Sequence, residues 1–104
     1  MNEMNKTLGI LVSSDNYMDY VINLTNAAHA GGKEVRIFFT GDGVLLTQSP
    51  KFEKLLGKAK ISVCEVSFRA KGLKQDVPGL GFKDFATQAR NAEMLAECDR
   101  YVVF

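Results

Sequence analysis

Histidine occurs once in this chain of 104 residues, at His29, and cysteine twice, at Cys64 and Cys98. That scarcity removes several chemistries at the outset. One histidine and two distant cysteines cannot assemble a metal site of ordinary ligand count. Ser13 and Ser14 lack the glycine-flanked elbow of a hydrolase and have no histidine base in sight. The carboxylates are scattered along the chain, and no acid–base pair emerges from their spacing. Neither sign of charge dominates: thirteen Lys and Arg face twelve Asp and Glu, a formal charge of +1. With no basic block, nothing calls for direct contact with nucleic acid or an anionic membrane. Long hydrophobic runs are also missing. The longest are strand-sized, far short of the roughly 20 residues that span a bilayer. The start, Met1 to Lys6, is polar and lacks the apolar run of a signal peptide. A cytoplasmic protein is therefore expected, with its cysteines as thiols rather than a disulfide.

No linker, repeat or low-complexity stretch interrupts the chain, so residues 1–104 are expected to form one domain. A hydrophobic share of 46% and a charged share of 24% suit a single core. Strand-like and helix-like segments alternate. Leu8 to Val12 is a short apolar run ending in Ser13-Ser14-Asp15-Asn16, a cluster that can cap a helix. Tyr17, Val21, Leu24 and Ala28 then recur with helical period, and Gly31-Gly32 stops that helix. Glu34 to Thr40 reads as the second strand, Phe52 to Leu56 as a short helix and Ile61 to Cys64 as the third strand. Glu65 to Lys71 reads as a helical turn or two, ended by Gly72. A weak fourth strand is expected near Leu80 to Phe82. Phe85, Ala89, Ala92 and Ala96 suggest an interior helix stripe, and Tyr101 to Phe104 a last strand. The pattern predicts an α/β fold: a single three-layer domain, a mostly parallel sheet of about five strands with helices on both faces. Its core is expected to hold Ile10, Val12, Val35, Ile37, Ile61, Val63 and Val102.

In such a sheet the C-terminal strand ends share one edge, where ligands usually bind. Ser13 to Tyr17, Thr40 to Gly43, Cys64 to Ser67 and Phe82 to Asp84 fall there, and Cys64 is the only strong nucleophile among them. A cysteine between a strand end and a helix start meets unpaired N–H groups, which favour its thiolate. Lys71 lies two helical turns on, on the same face, whereas Arg69 points elsewhere. The competing reading is a buried, inert strand cysteine, since free cysteine is among the most buried residue types. Composition and spacing leave both open. Cys98, just before the last strand, falls at the opposite edge and reads as small structural filler, too far away for a Cys64–Cys98 disulfide. His29, off the apolar stripe, reads as a solvated residue near its helix end. Gly41-Asp42-Gly43 reads as a turn rather than a dinucleotide fingerprint, because it follows the second strand and lacks the third glycine.

The segment Ile61-Ser62-Val63-Cys64, followed by Arg69 and Lys71-Gly72-Leu73, resembles the active-cysteine segment of the DsrE family (DsrE/DsrF-like proteins, including the TusD-type sulfur-relay proteins). The end of the chain, Glu97-Cys98-Asp99-Arg100-Tyr101-Val102-Val103-Phe104, resembles that family's closing pattern. Phe38-Phe39 and Asp42-Gly43-Val44 resemble the stretch after its second strand. The resemblance implies that Cys64 is the catalytic residue of a sulfurtransferase-like carrier. Cys64 would take sulfur from a donor protein as a persulfide and hand it to an acceptor, with no organic cofactor. It also implies a homo-oligomer, a trimer or hexamer, or assembly with related subunits.

Two functional classes follow. One is the sulfur-relay carrier. The other is an oligomeric binding or scaffold module in which Cys64 does no chemistry. A peroxide-reducing thiol enzyme is a distant third, because no second cysteine is placed to resolve a sulfenic acid. Phe38, Phe39, Phe68 and Phe82 add an expectation of aromatic surface available for assembly.

Overall fold

The computed structural model describes residues 6–74 and 76–104. Five strands form one sheet: β1 (Thr7–Val12), β2 (Glu34–Phe39), β3 (Lys60–Cys64), β4 (Phe85–Ala86) and β5 (Arg100–Val103). Their order is β4-β3-β2-β1-β5, and every neighbouring pair is parallel. Ile10 lies opposite Ile37 on one side and Val102 on the other, and Ile37 lies opposite Ile61. The α-helices are α1 (Met18–Ala30), α2 (Glu65–Ala70) and α3 (Gln88–Glu97). Two 3₁₀ helices, Gly41–Gln48 and Pro50–Leu55, lead from β2 towards β3.

The layers follow from the order of the strands. From β1 to β4 the chain steps one strand at a time in one direction. Right-handed crossovers then put α1, the 3₁₀ helices and α2 on a single face. The last connection reverses, carrying the chain from β4 back past β1, so α3 falls on the opposite face. Strand alternation sorts the side chains accordingly. Ile10, Val12, Val35, Ile37, Phe39, Ile61 and Val63 join Val21, Phe52, Leu55 and Phe68 in the larger core. Phe38 and Cys64 face the other way, into a smaller cluster closed by Met94 of α3. Gly43 lets the first 3₁₀ helix press against β1, since a Cβ there would collide with the backbone carbonyl of Val12. Among the described residues no helix is long and apolar enough to cross a membrane.

Four expectations need correction. The fourth strand is Phe85–Ala86 rather than Leu80 to Phe82. Gly79 takes a left-handed φ of 92°, and the Asp84 carboxylate accepts from the Gly81 N–H at 2.7 Å, closing a turn where an extended run was expected. Phe85 therefore belongs to the sheet, meeting Phe68 edge to face with ring centres 4.9 Å apart. The stripe Ala89, Ala92 and Ala96 faces solvent, and Met94 is the buried residue of α3. Val102 is 37% exposed, because β5 is an edge strand. Phe38, Phe39 and Phe68 are fully buried, leaving Phe82, 88% exposed, as the one surface phenylalanine of the four.

The edge strand β5 is tied to β1 by Asp99. Its Oδ2 accepts from the backbone N–H groups of Lys6 and Thr7, at 2.9 and 3.0 Å, and from the Thr7 hydroxyl at 3.0 Å. Those bonds, led by the Thr7 N–H, hold the Asp99 carboxyl below its ordinary range against a small opposing effect of burial. A folded-state pKa below the unfolded one stabilises above the unfolded value, and that stabilisation is lost as pH falls through the folded value. Asp99→Ala should therefore lower the melting temperature at neutral pH. The gap to the parent should narrow in acid; a gap independent of pH would sink this account.

Candidate functional site

Cys64 is the last residue of β3 and the N-cap of α2, with φ −66° and ψ 114°. Its backbone is still extended, so its side chain keeps the strand alternation and points to the α3 face, as Ser62 does two residues earlier. Arg90 of α3 donates to the Ser62 hydroxyl at 2.8 Å and fastens the helix over β3. Behind the sulfur lie the apolar side chains of Phe38 and Met94. The residue is 4% exposed.

Polar groups from three other segments close around the sulfur. Thr40 follows β2, Ser67 lies in the first turn of α2, and Gln88 is the first residue of α3. The Gln88 amide nitrogen lies 3.6 Å from Cys64 Sγ and donates to Thr40 Oγ1 at 3.0 Å. Thr40 Oγ1 and Ser67 Oγ are 3.4 Å apart, and Ser67 Oγ accepts from the Gly41 N–H at 3.0 Å. Burial pushes the Cys64 thiol up. Hydrogen bonds from the Ser67 hydroxyl and backbone N–H, the Thr40 hydroxyl and the Gln88 amide together outweigh it, so the thiol ends below its ordinary value. The site can therefore hold a thiolate, the nucleophilic form of cysteine.

The cations of α2 do not take part. Arg69 pairs with Glu65 at 3.4 Å, four residues back on the same helix. Lys71, expected on the cysteine's face, caps the end of α2 and pairs with Asp42. Stabilisation of the sulfur comes from neutral donors instead. Thr40 and Ser67 lie in segments that the sequence places at this edge. Gln88 was missed, because placing Phe85 in a helix turns Gln88 into a mid-helix residue. The usable signal is Thr87, whose hydroxyl caps α3 by accepting from the Ala89 N–H at 3.3 Å and thereby marks Gln88 as its first residue.

Other candidates are structural. Cys98 is free, half-buried and at the opposite edge between α3 and β5, where its sulfur fills the space left by Gly9. Burial raises its thiol, as do the carboxylates of Glu34, Glu97 and Asp99, against the opposing charge of Arg36. His29 is exposed in the last turn of α1, as expected of a solvated residue. Ser13 donates to the Phe104 carbonyl at 3.2 Å, and Ser14 accepts from the Asn16 N–H at 3.1 Å. Among the described residues no three His, Cys, Asp or Glu side chains are grouped to hold a metal ion. A cavity of about 370 Å³ opens beside α3, lined by Arg36, Lys60, Ser62, Lys83 and Arg90 among others; Cys64 is not in its walls.

The family model described as DsrE/DsrF-like family matches residues 6–104. The chain belongs to the DsrE/DsrF-like family. That membership covers nearly the whole chain and suggests a function of the sulfur-relay type. A comparison with curated proteins gives no match.

The two thiols of this DsrE/DsrF-like chain are shifted in opposite directions, which alkylation can read. With Cys98→Ala leaving only Cys64, the pH midpoint of iodoacetamide labelling should fall below the roughly 8.5 of a free thiol. With Cys64→Ser leaving only Cys98, it should lie above. Thr40→Val or Ser67→Ala should raise the Cys64 midpoint and leave that of Cys98 in place. Equal midpoints for the two thiols would refute the tuned site.

Proposed function

We propose that this DsrE/DsrF-like protein is a sulfur-relay carrier that accepts and passes on sulfur as a persulfide on Cys64. The observation that carries the reading is the ring of Thr40, Ser67 and Gln88 around that sulfur, in a chain whose family suggests sulfur relay. The Cys64 thiolate attacks the outer sulfur of a donor protein's persulfide. A sulfur–sulfur bond forms to Cys64, the donor's own sulfur–sulfur bond breaks, and the donor leaves as a thiolate. In the second step an acceptor thiolate attacks the outer sulfur on Cys64 and releases the Cys64 thiolate. Each step exchanges one sulfur–sulfur bond for another, so no external oxidant, reductant or organic cofactor is consumed. A reducing cytoplasm suits the cycle, since it keeps both cysteines from disulfides.

The protein acts as a homo-oligomer, a trimer or a dimer of trimers, or with related subunits. Tyr17, Tyr20, Phe82, Leu95 and Val103 are exposed large apolar side chains that assembly would cover. Tyr17 already meets Tyr20 edge to face and Phe104 at a tilt, with ring centres 6.0 and 6.2 Å away, so part of this surface is preorganised.

The burial of Cys64 favours a second reading, the binding or scaffold module with an inert thiol. Mass spectrometry after incubation with a persulfide donor separates the two. The carrier should gain about 32 mass units, one sulfur atom, reversibly by reductant. Cys64→Ser should gain none, and Cys98→Ala should load normally. No loading of the parent protein would leave the module. Light scattering at micromolar concentration should give a multiple of the 11.5 kDa chain mass; a monomer would refute the assembly.

A further inference from the structure

We infer that Gln88 is the positioning residue that holds and covers the Cys64 sulfur, and that its side chain swings out whenever sulfur enters or leaves. The walls of the site differ in how easily they can yield. Phe38 and Met94 are packed into the smaller core, so they cannot move without opening it. Thr40 and Ser67 are short side chains whose positions are set by the turn after β2, where Ser67 accepts from the Gly41 N–H. Gln88 is exposed, long and anchored only at the start of α3. Its amide spans Cys64 Sγ and Thr40 Oγ1.

Two consequences follow from that bridge. While closed, the amide donates to the thiolate and keeps water and other thiols from a residue that is 4% exposed. An added sulfur atom bonded about 2.05 Å beyond Sγ on the Gln88 side would collide with the amide nitrogen, which lies 3.6 Å from Sγ. Opening breaks one ordinary and one long hydrogen bond. That puts the open population on the order of a few per cent, enough for turnover yet sparse enough to protect the sulfur at rest.

This role deepens the sulfur-carrier reading, yet alkylation tests it without any sulfur transfer. The protein is prepared as Cys98→Ala, so that Cys64 is the only thiol, and labelled with iodoacetamide across pH. Two quantities are read: the pH midpoint, which reports how the thiolate is held, and the plateau rate at high pH, which reports access. Gln88→Met keeps the cover and loses the donor. It should raise the midpoint, lower the thiolate fraction at neutral pH roughly three- to tenfold, and leave the plateau nearly unchanged. Gln88→Ala loses both, so it should raise the midpoint and also speed the plateau at least about fivefold. Gln88→Lys supplies a charged donor and should bring the midpoint back to that of the parent or below. A purely structural residue would not separate the midpoints of Met and Lys variants of equal stability. An unchanged plateau in Gln88→Ala would overturn the cover, and equal midpoints in Gln88→Met and Gln88→Lys would overturn the holding role. Persulfide loading of the same proteins separates the two ideas. A parent that does not load removes the carrier and leaves Gln88 in its place. A parent that loads, with labelling unchanged in all three variants, removes Gln88 alone.

Discussion

Strand β2 is buried on both of its faces, and the rest of the molecule is arranged to make that possible. Val35, Ile37 and Phe39 need apolar cover on one side and Phe38 on the other. A sheet this small cannot hide both faces with one layer of helices. The chain meets the demand by stepping through four strands in one direction and then reversing once, which sends α3 alone to the second face. The second layer is thin: Met94 is its one buried helical residue. Cys64 lies under that thin layer, clustered with Phe38 and Met94 and with Thr40, Ser67 and Gln88 hydrogen-bonded to its sulfur.

This position explains how a nearly buried thiol can still be lowered. Desolvation alone would raise it, as it does for Cys98. The difference lies in the neighbours. Cys98 has carboxylates of Glu34, Glu97 and Asp99 close by, whereas Cys64 has hydroxyl, amide and N–H donors and no carboxylate among the groups that set its titration. The charges on α2 that a sequence reader would enlist are spent on Glu65 and Asp42. Neutral donors brought to one point by three chain segments do the work of a cation, without fixing a permanent charge beside the sulfur.

Much of the sheet was legible because its signals are local. Buried parallel strands read as continuous apolar runs, so β1, β2 and β3 could be located from Leu8 to Val12, Glu34 to Thr40 and Ile61 to Cys64. Gly31-Gly32 marked the end of α1 for a local reason too. The region after Gly72 failed because a two-residue strand leaves almost no pattern. Phe85 has the same apolar character in a strand as in a helix, and its edge-to-face meeting with Phe68 is a contact across 17 positions that no window contains. The aromatic residues of β2 and α2 were misjudged as surface for a related reason: an apolar side chain carries no mark of which layer will cover it.

By itself the sequence determined the alternation of strands and helices, the placement of Cys64 at a strand end and the separation of Cys64 from Cys98, because each depends on residues close in the chain. The family is also carried by short stretches of residues, around Cys64 and from Glu97 to Phe104. Only the tertiary structure decided the strand order, and with it the exposure of Val102 on the edge strand β5. It also decided which face of the sheet Cys64 looks towards and which donors meet its sulfur. Thr40, Ser67 and Gln88 lie 24, 3 and 24 positions from Cys64. Their meeting follows from the parallel register of β2 with β3 and of β3 with β4, which sets the strand ends side by side and delivers the first residue of α3 to the same point. Hydrogen bonds act over about 3 Å, and no spacing along a chain specifies a distance that only the packed sheet creates.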